Sequence, residues 1–448
     1  MNYPFWEVST LGGGLLIAIV AIFHTYVAQF AVGGGFFLVL AERKARREND
    51  PVLLDYVRRH TRFFVLVTLV LGAVTGVGIW FTIALVNPQA TSILIRSFVW
   101  GWAIEWVFFI LEITAALTYA ATWDRVKPET HQLVGWLYGA GAWLSLAVIT
   151  GITSFMLTTG RWVETQNFWH GVLNPSYLPS VLMRTGVSFA LAGLYGLITA
   201  YTVQPRESRD RLVRYCAAWL FPAAGLLVVG GAWYLTTIPE ASRAMLTGGA
   251  IAMTLAFAAS LIASVVLFGV GYFGLYRSPR SYSVTLAALL LIVGLTATGA
   301  SEFAREGARK PYVLYGYLYS NNVYAGQEEA IRQDGFLTTA RWARLSTEDV
   351  TPGNLLEAGH EVYRFQCASC HTLGGYNDVT PLVKGWTASF ADFQLQHLDT
   401  LKGFMPPFVG TPLERRALAE YLASLNPWPS RGTIESPVPV AQAPQASR

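Results

Sequence analysis

Residues 13–41 read GGLLIAIVAIFHTYVAQFAVGGGFFLVLA, an uncharged run long enough to cross a hydrocarbon core as a helix, with one histidine, His24, inside it. Seven more apolar stretches follow, near 63–86, 97–122, 132–158, 179–203, 212–236, 244–275 and 282–301. The chain has 448 residues, 53% hydrophobic and only 13% charged, with mean hydropathy +0.39. The pattern predicts an all-α fold whose main part is a polytopic eight-helix transmembrane bundle. Eight crossings put both ends of the bundle on one side. The first stretch lacks a basic lead and a small-residue cleavage site, so it is read as an anchor rather than a cleaved signal.

The loops after the odd-numbered spans hold fifteen Lys and Arg residues, from Arg43 to Arg280, against four (Arg96, Arg161, Arg184, Arg243) near the opposite face. The positive-inside rule then places both termini outside the cytoplasm. The net charge of +4 is thereby accounted for as a topology signal, and no nucleic-acid patch is indicated.

Past the bundle, Cys367-Ala368-Ser369-Cys370-His371 is a CxxCH run, the spacing of covalent haem c attachment. Two thiols bond the porphyrin edge, and the next residue supplies an imidazole to the iron. A zinc site would need further ligands, and the remaining cysteine, Cys216, lies far upstream. A redox dithiol would want a βαβ context that is absent. For the opposite face of the iron, Met405 in Gly403-Phe404-Met405-Pro406-Pro407 leads, with His360 and His397 as competitors. Attachment of this kind takes place outside the bacterial cytoplasm, which agrees with the side the basic residues assign to the C-terminus. The expected localisation is therefore the bacterial inner membrane.

The organisation read from these signals is a bundle over 1–301, a polar connector over 302–352, a small α-helical cytochrome c domain over 353–427 and a Pro/Ala/Ser-rich disordered tail over 428–448. Gly359 and Tyr363 before the CxxCH, and the last helix with Tyr421, resemble the crossing helices of class I mono-haem cytochrome c domains. Neither a Walker-type loop nor a dinucleotide fingerprint is present.

Polar groups at bilayer depth are costly and are candidates for function. His24 suits a haem iron or a hydrogen-bonded packing role. Glu105 and Glu112, seven residues apart, fall near one helical face two turns apart, as a proton path or as two buried acids. His60 and His131 are read as membrane-edge histidines that meet water, ahead of a bis-His pair.

These residues, in order along the chain, resemble subunit I of the cytochrome bd quinol oxidases. His24 matches that family's first-helix haem ligand. Ala103-Ile104-Glu105 and Leu111-Glu112 match its third-helix acids, with one residue less between them. Trp123-Asp124-Arg125, Val172-Leu173-Asn174-Pro175, Arg243-x-Met245 and Gly307-Ala308-Arg309-Lys310-Pro311-Tyr312 follow in the family's order. Met245 stands where the family has the methionine ligand of its low-spin haem b, and Arg243 where it has an arginine. The resemblance departs at four points. Met183-Arg184 stands where a fifth-helix histidine is expected, and Thr298-Gly299 where an eighth-helix glutamate is. The quinol-binding loop has shrunk to Thr237–Arg243, and a ninth helix is replaced by the connector and cytochrome c domain.

The resemblance implies respiratory electron transfer between a membrane donor, a quinol, and external c-type carriers. It implies one covalent haem c on Cys367 and Cys370 with His371 and Met405 at the iron, and a haem b at His24, with Met245 as a further ligand candidate. Glu105, Glu112 and Arg243 would be the catalytic residues. The partners would be c-type cytochromes or other subunits of a hetero-oligomeric respiratory complex. Two rival expectations are a terminal oxidase reducing oxygen at a haem near His24, and a non-catalytic anchor that presents a cytochrome c domain.

Overall fold

The computed structural model describes residues 4–426, so the tail expected at 428–448 lies outside the described residues. Eight long apolar helices are present: α1 (Gly13–Arg47), α2 (Pro51–Val86), α3 (Val99–Ala121), α4 (Pro128–Phe155), α5 (Tyr177–Thr202), α6 (Arg206–Thr237), α7 (Ile251–Tyr276) and α8 (Val284–Gly307). Their outward faces carry large apolar side chains, with Val77 70%, Val228 72% and Val265 73% exposed. Such a surface suits lipid and not water. The protein is a multi-pass membrane protein.

The helices α2 and α6 begin well before the apolar stretches at 63 and 212. Charged residues, Asp55 to Arg62 in α2 and Arg206 to Arg211 in α6, lower the hydropathy of these first stretches but leave helix propensity intact. Asp50 starts α2: its carboxylate accepts from the backbone N–H groups of Val52 and Leu53, each at 3.0 Å, and Pro51 occupies the first helical position. In contrast, α7 starts later than the apolar stretch at 244. Gly248 at φ +133° and Ala250 in extended backbone interrupt the helix after Met245. Likewise α8 runs through Gly307, past the bundle boundary expected at 301.

The bundle is organised around α1, which packs on α2, α4, α5 and α8. Gly33-Gly34-Gly35 explains how. A Cβ at Gly33 would lie 1.9 Å from the Ser188 carbonyl oxygen of α5, one at Gly34 2.4 Å from the Phe64 ring of α2, and one at Gly35 2.3 Å from the Tyr138 ring of α4. Three adjacent residues without side chains let three helices reach the α1 backbone together.

The connector holds a short antiparallel hairpin, β1 (Tyr312–Leu314) and β2 (Leu318–Tyr319). Among the described residues, three helices of nine or more residues follow: α9 (Leu355–Gln366), α10 (Ala388–Gln396) and α11 (Pro412–Ser424). A Cβ at Gly359 would meet the Ala417 carbonyl oxygen at 2.1 Å, so α9 and α11 cross in backbone contact there. Thr411 caps α11, and Glu414 reaches back to the Thr411 N–H at 2.8 Å. The same buried carboxylate accepts from the N–H groups of Phe336 and Leu337, at 2.9 and 2.8 Å. Connector and domain thus share one core, in which Tyr319, Phe336 and Leu337 pack with Val362, Leu418 and Leu422. The segment before α1 docks on this unit. Thr10 O accepts from the Tyr376 N–H at 2.8 Å, Phe5 meets Phe365 edge-on at 5.4 Å, and Glu7 pairs with Arg364.

Candidate functional site

Helix α9 ends into the CxxCH. The Cys367 N–H still bonds Tyr363 O at 2.8 Å, and the His371 N–H turns back to Cys367 O at 2.9 Å. This tight turn holds the two thiols and the imidazole at the helix end, and the Tyr363 hydroxyl donates to His371 O at 2.8 Å. The His371 ring is held through Nδ1, which has the Asn377 carbonyl and side-chain amide each at 3.3 Å. That leaves Nε2 as the nitrogen for a metal. Burial pushes the Cys367 thiol up to about 12. Burial also raises Cys370, but the neighbouring Lys310 ammonium together with Ser369 and Ser320 outweighs it, and this thiol lies below its ordinary value.

Met405 is half-buried beside a cavity of about 390 Å³ whose far wall includes Pro311, Tyr312 and Tyr319 of the connector. The same connector segment touches the CxxCH: Lys310 Nζ lies 3.5 Å from Cys370 Sγ, and Ser320 O accepts from Ser369 Oγ at 3.4 Å. The CxxCH turn supplies the donor set of a covalent haem; its thiols and His371 do not line the cavity beside Met405, and the connector segment 310–320 joins the two. His360 and His397 do not line that cavity. His360 is exposed against Tyr421, and His397 bonds its own Phe393 carbonyl at 2.9 Å. Among the described residues no group of three or more His, Cys, Asp or Glu is placed to hold a metal ion, whereas a structural zinc site takes four ligands.

Inside the bundle, His24 of α1 faces α2, with Nδ1 3.1 Å from Thr75 Oγ1 and Gly76 leaving room beside the ring. Glu105 and Glu112 both turn toward α4. The Ser145 hydroxyl donates to Glu105 at 3.0 Å, and the Tyr138 hydroxyl lies 3.2 Å from Glu112 and 2.9 Å from Ala31 O. Ala31 is seven residues beyond His24, roughly 10 Å along α1 at 1.5 Å per residue. Met245 is buried in the irregular turn ahead of α7, and the turn packs on α7 and on its own lead-in. Arg243 is exposed and donates to Leu235 O at 3.3 Å, capping the end of α6.

Two charged clusters escaped sequence reasoning. At the end of the bundle where α1 runs into α2, Glu42 of α1 is fully buried and His131 only 1% exposed. His131 Nδ1 lies 3.0 Å from both Glu42 carboxylate oxygens, and its Nε2 is 3.0 Å from Tyr119 O. The Tyr119 hydroxyl and the Arg46 guanidinium complete the set, at 2.8 and 2.7 Å from Glu42. A small cavity lined by Tyr119 and Tyr138 lies between this cluster and Glu112. His60 is equally buried, bonded to Thr199 Oγ1 at 2.8 Å and ringed by Phe30, Phe37 and Phe63. The expectation that these two histidines meet water is therefore corrected. A polar residue at a hydropathy boundary can face inward as easily as outward, and the helix faces decide. At the opposite end of the bundle, Glu302 pairs with Arg305 at 2.8 Å, and Glu306 with Arg305 at 2.6 Å and with Arg309. Glu302 stands about one turn past Thr298-Gly299, hidden because the sequence pattern ended the span at 301.

Residues 15–233 match the family model for cytochrome bd terminal oxidase subunit I, and residues 354–422 that for the cbb3-type cytochrome c oxidase subunit III. The first match stops within α6, so it covers His24, Glu105 and Glu112 but not Arg243 or Met245. No curated protein matches the chain. The bd oxidase structure from Geobacillus thermodenitrificans is similar in fold, with a TM-score of 0.58 at 17% identity over 69% of this chain and 90% of that one. One polypeptide thus joins a membrane bundle similar to cytochrome bd oxidase subunit I to a domain similar to those of the cytochrome c type.

Proposed function

We propose that the protein transfers electrons between a membrane quinol and c-type carriers outside the bacterial inner membrane. Cys367 and Cys370 would hold a haem covalently, and His371 and Met405 would be the ligands of its iron. A second haem, of b type, would be held by His24. Bound there, these groups supply one-electron transfer. The chain's own contribution in the membrane is proton handling. The Glu105 and Glu112 carboxylates hold the protons that quinol oxidation releases, Tyr138 and Ser145 orient them, and the Glu42–His131 cluster connects the pair to the inner face. Arg243 and Met245 are retained from the family resemblance, as a charge partner and an iron ligand.

The observation that supports this reading is the CxxCH turn, joined through the connector to the cavity beside Met405, in one chain with a bd-like bundle. Pyridine haemochrome analysis of purified protein tests it. The expected result is one c-type haem plus b-type absorbance, with His24→Ala removing the b signal and sparing the c signal. A b signal that survives His24→Ala moves that site elsewhere. A preparation with haem c alone favours an anchor that only presents the cytochrome c domain. The terminal-oxidase family model over 15–233 favours a second reading, oxygen reduction at the His24 haem. Oxygen consumption with reduced cytochrome c or quinol, lost in His24→Ala, distinguishes it.

A further inference from the structure

The connector leaves α8 and passes directly along the CxxCH turn. Lys310, just beyond the helix end, places Nζ 3.5 Å from Cys370 Sγ. From the other side the lead-in to α1 approaches: a Cβ at Gly12 would contact the Thr372 methyl at 3.4 Å, and one at Gly14 would lie 3.9 Å from Ser369 O. The Ser369-Cys370 end of the turn therefore lies against the connector and the start of α1. Among the described residues no carboxylate pairs with Lys310, and the acids nearest in sequence, Glu302 and Glu306, are taken by Arg305 and Arg309. An unpaired ammonium stands at the sulfur to which the porphyrin edge would be bonded.

We propose that Lys310 is a positioning and electrostatic tuning residue for the haem c, seating its attachment edge on the membrane domain and favouring its reduced state. The proposal rests on covalent attachment at Cys367 and Cys370. Oxidation of a haem adds one positive charge to the iron and ring. A fixed cation at the ring edge opposes that charge, and a half-buried contact is screened less by salt than one in bulk water. Lys310 is also the direct continuation of α8, so the haem potential becomes tied to how the cytochrome c domain sits on the bundle.

The test uses the full-length protein in detergent, with covalent haem quantified on denatured chains and the haem c midpoint potential measured by redox titration. In Lys310→Gln the haem should remain attached, and the ferrous-to-ferric ratio at a fixed ambient potential should fall about tenfold. For one electron that is about 59 mV towards lower potential. Lys310→Arg should restore most of the shift, and Lys127→Gln, the same charge change in an inner loop, should cause none. Lys310→Met is the second neutral variant and should match Lys310→Gln. An unchanged potential in both neutral variants overturns the proposal. Loss of haem from both, with Lys310→Arg retaining it, also overturns the electrostatic role, since it makes Lys310 a requirement for attachment. Absence of covalent haem from the wild-type chain is a separate result, and it defeats the attachment reading itself.

Discussion

At the scale of single residues, the two thiols of the CxxCH sit in different electrostatic surroundings although they are three residues apart. Burial, and to a lesser extent the neighbouring Cys370, acts on Cys367, whereas Cys370 has an ammonium against it. Both bonds are needed for a haem held at two points. Cys367→Ala and Cys370→Ala should each weaken the haem-stained band on a denaturing gel, and the double variant should abolish it. An undiminished band in the double variant would move attachment away from this turn. Histidines show the limit of reading residues singly. His24, His60 and His131 all lie in or beside apolar runs, yet one faces a threonine on α2, one is ringed by aromatics, and one is bonded to a buried glutamate. Composition near each residue is similar; the opposing helix makes the difference.

At the scale of elements, close helix approach depends on the absence of side chains at a few points. The α9–α11 crossing at Gly359 is the tightest in the cytochrome c domain, because the obstacle is backbone, which cannot rotate away. Gly359→Ala should force the helices apart and destabilise the domain by about 1–3 kcal/mol, the usual range for overpacking. Thermal unfolding followed through the haem absorbance should show the lowered midpoint, and a midpoint equal to wild type would mean that the crossing relaxes freely. The connector also changes character at this scale. Its polar sequence reads as a spacer, but Glu414 binds the backbone of Phe336 and Leu337, and Tyr319 enters the domain core. Polar composition reflects its outer face, while the few apolar residues it buries decide where it packs.

At the scale of the whole molecule, the even number of crossings and the contacts of Phe5, Glu7 and Thr10 with the cytochrome c domain put the chain's beginning and that domain on one face. A reporter fused after Arg448 should behave as extracytoplasmic and one fused near Glu48 as cytoplasmic, following the basic residues of the loops. The reverse pattern would invert the proposed proton and electron routes together. Span number, the CxxCH and the acid pair on α3 were legible in the sequence, because each depends on local spacing: about 20 apolar residues for a bilayer, three for two thiols on one porphyrin, seven for two turns of helix. Only the tertiary structure decided that Lys310 lies on Cys370, that Glu42 pairs with His131 and that Glu302 pairs with Arg305 at the end of α8. Lys310 and Glu42 meet residues 60 and 89 positions away, and Glu302, though only three residues from its partner, needed the true end of the helix. Hydropathy averages over a window and carries no record of which helix face meets which, so such pairings exist only once the helices are packed.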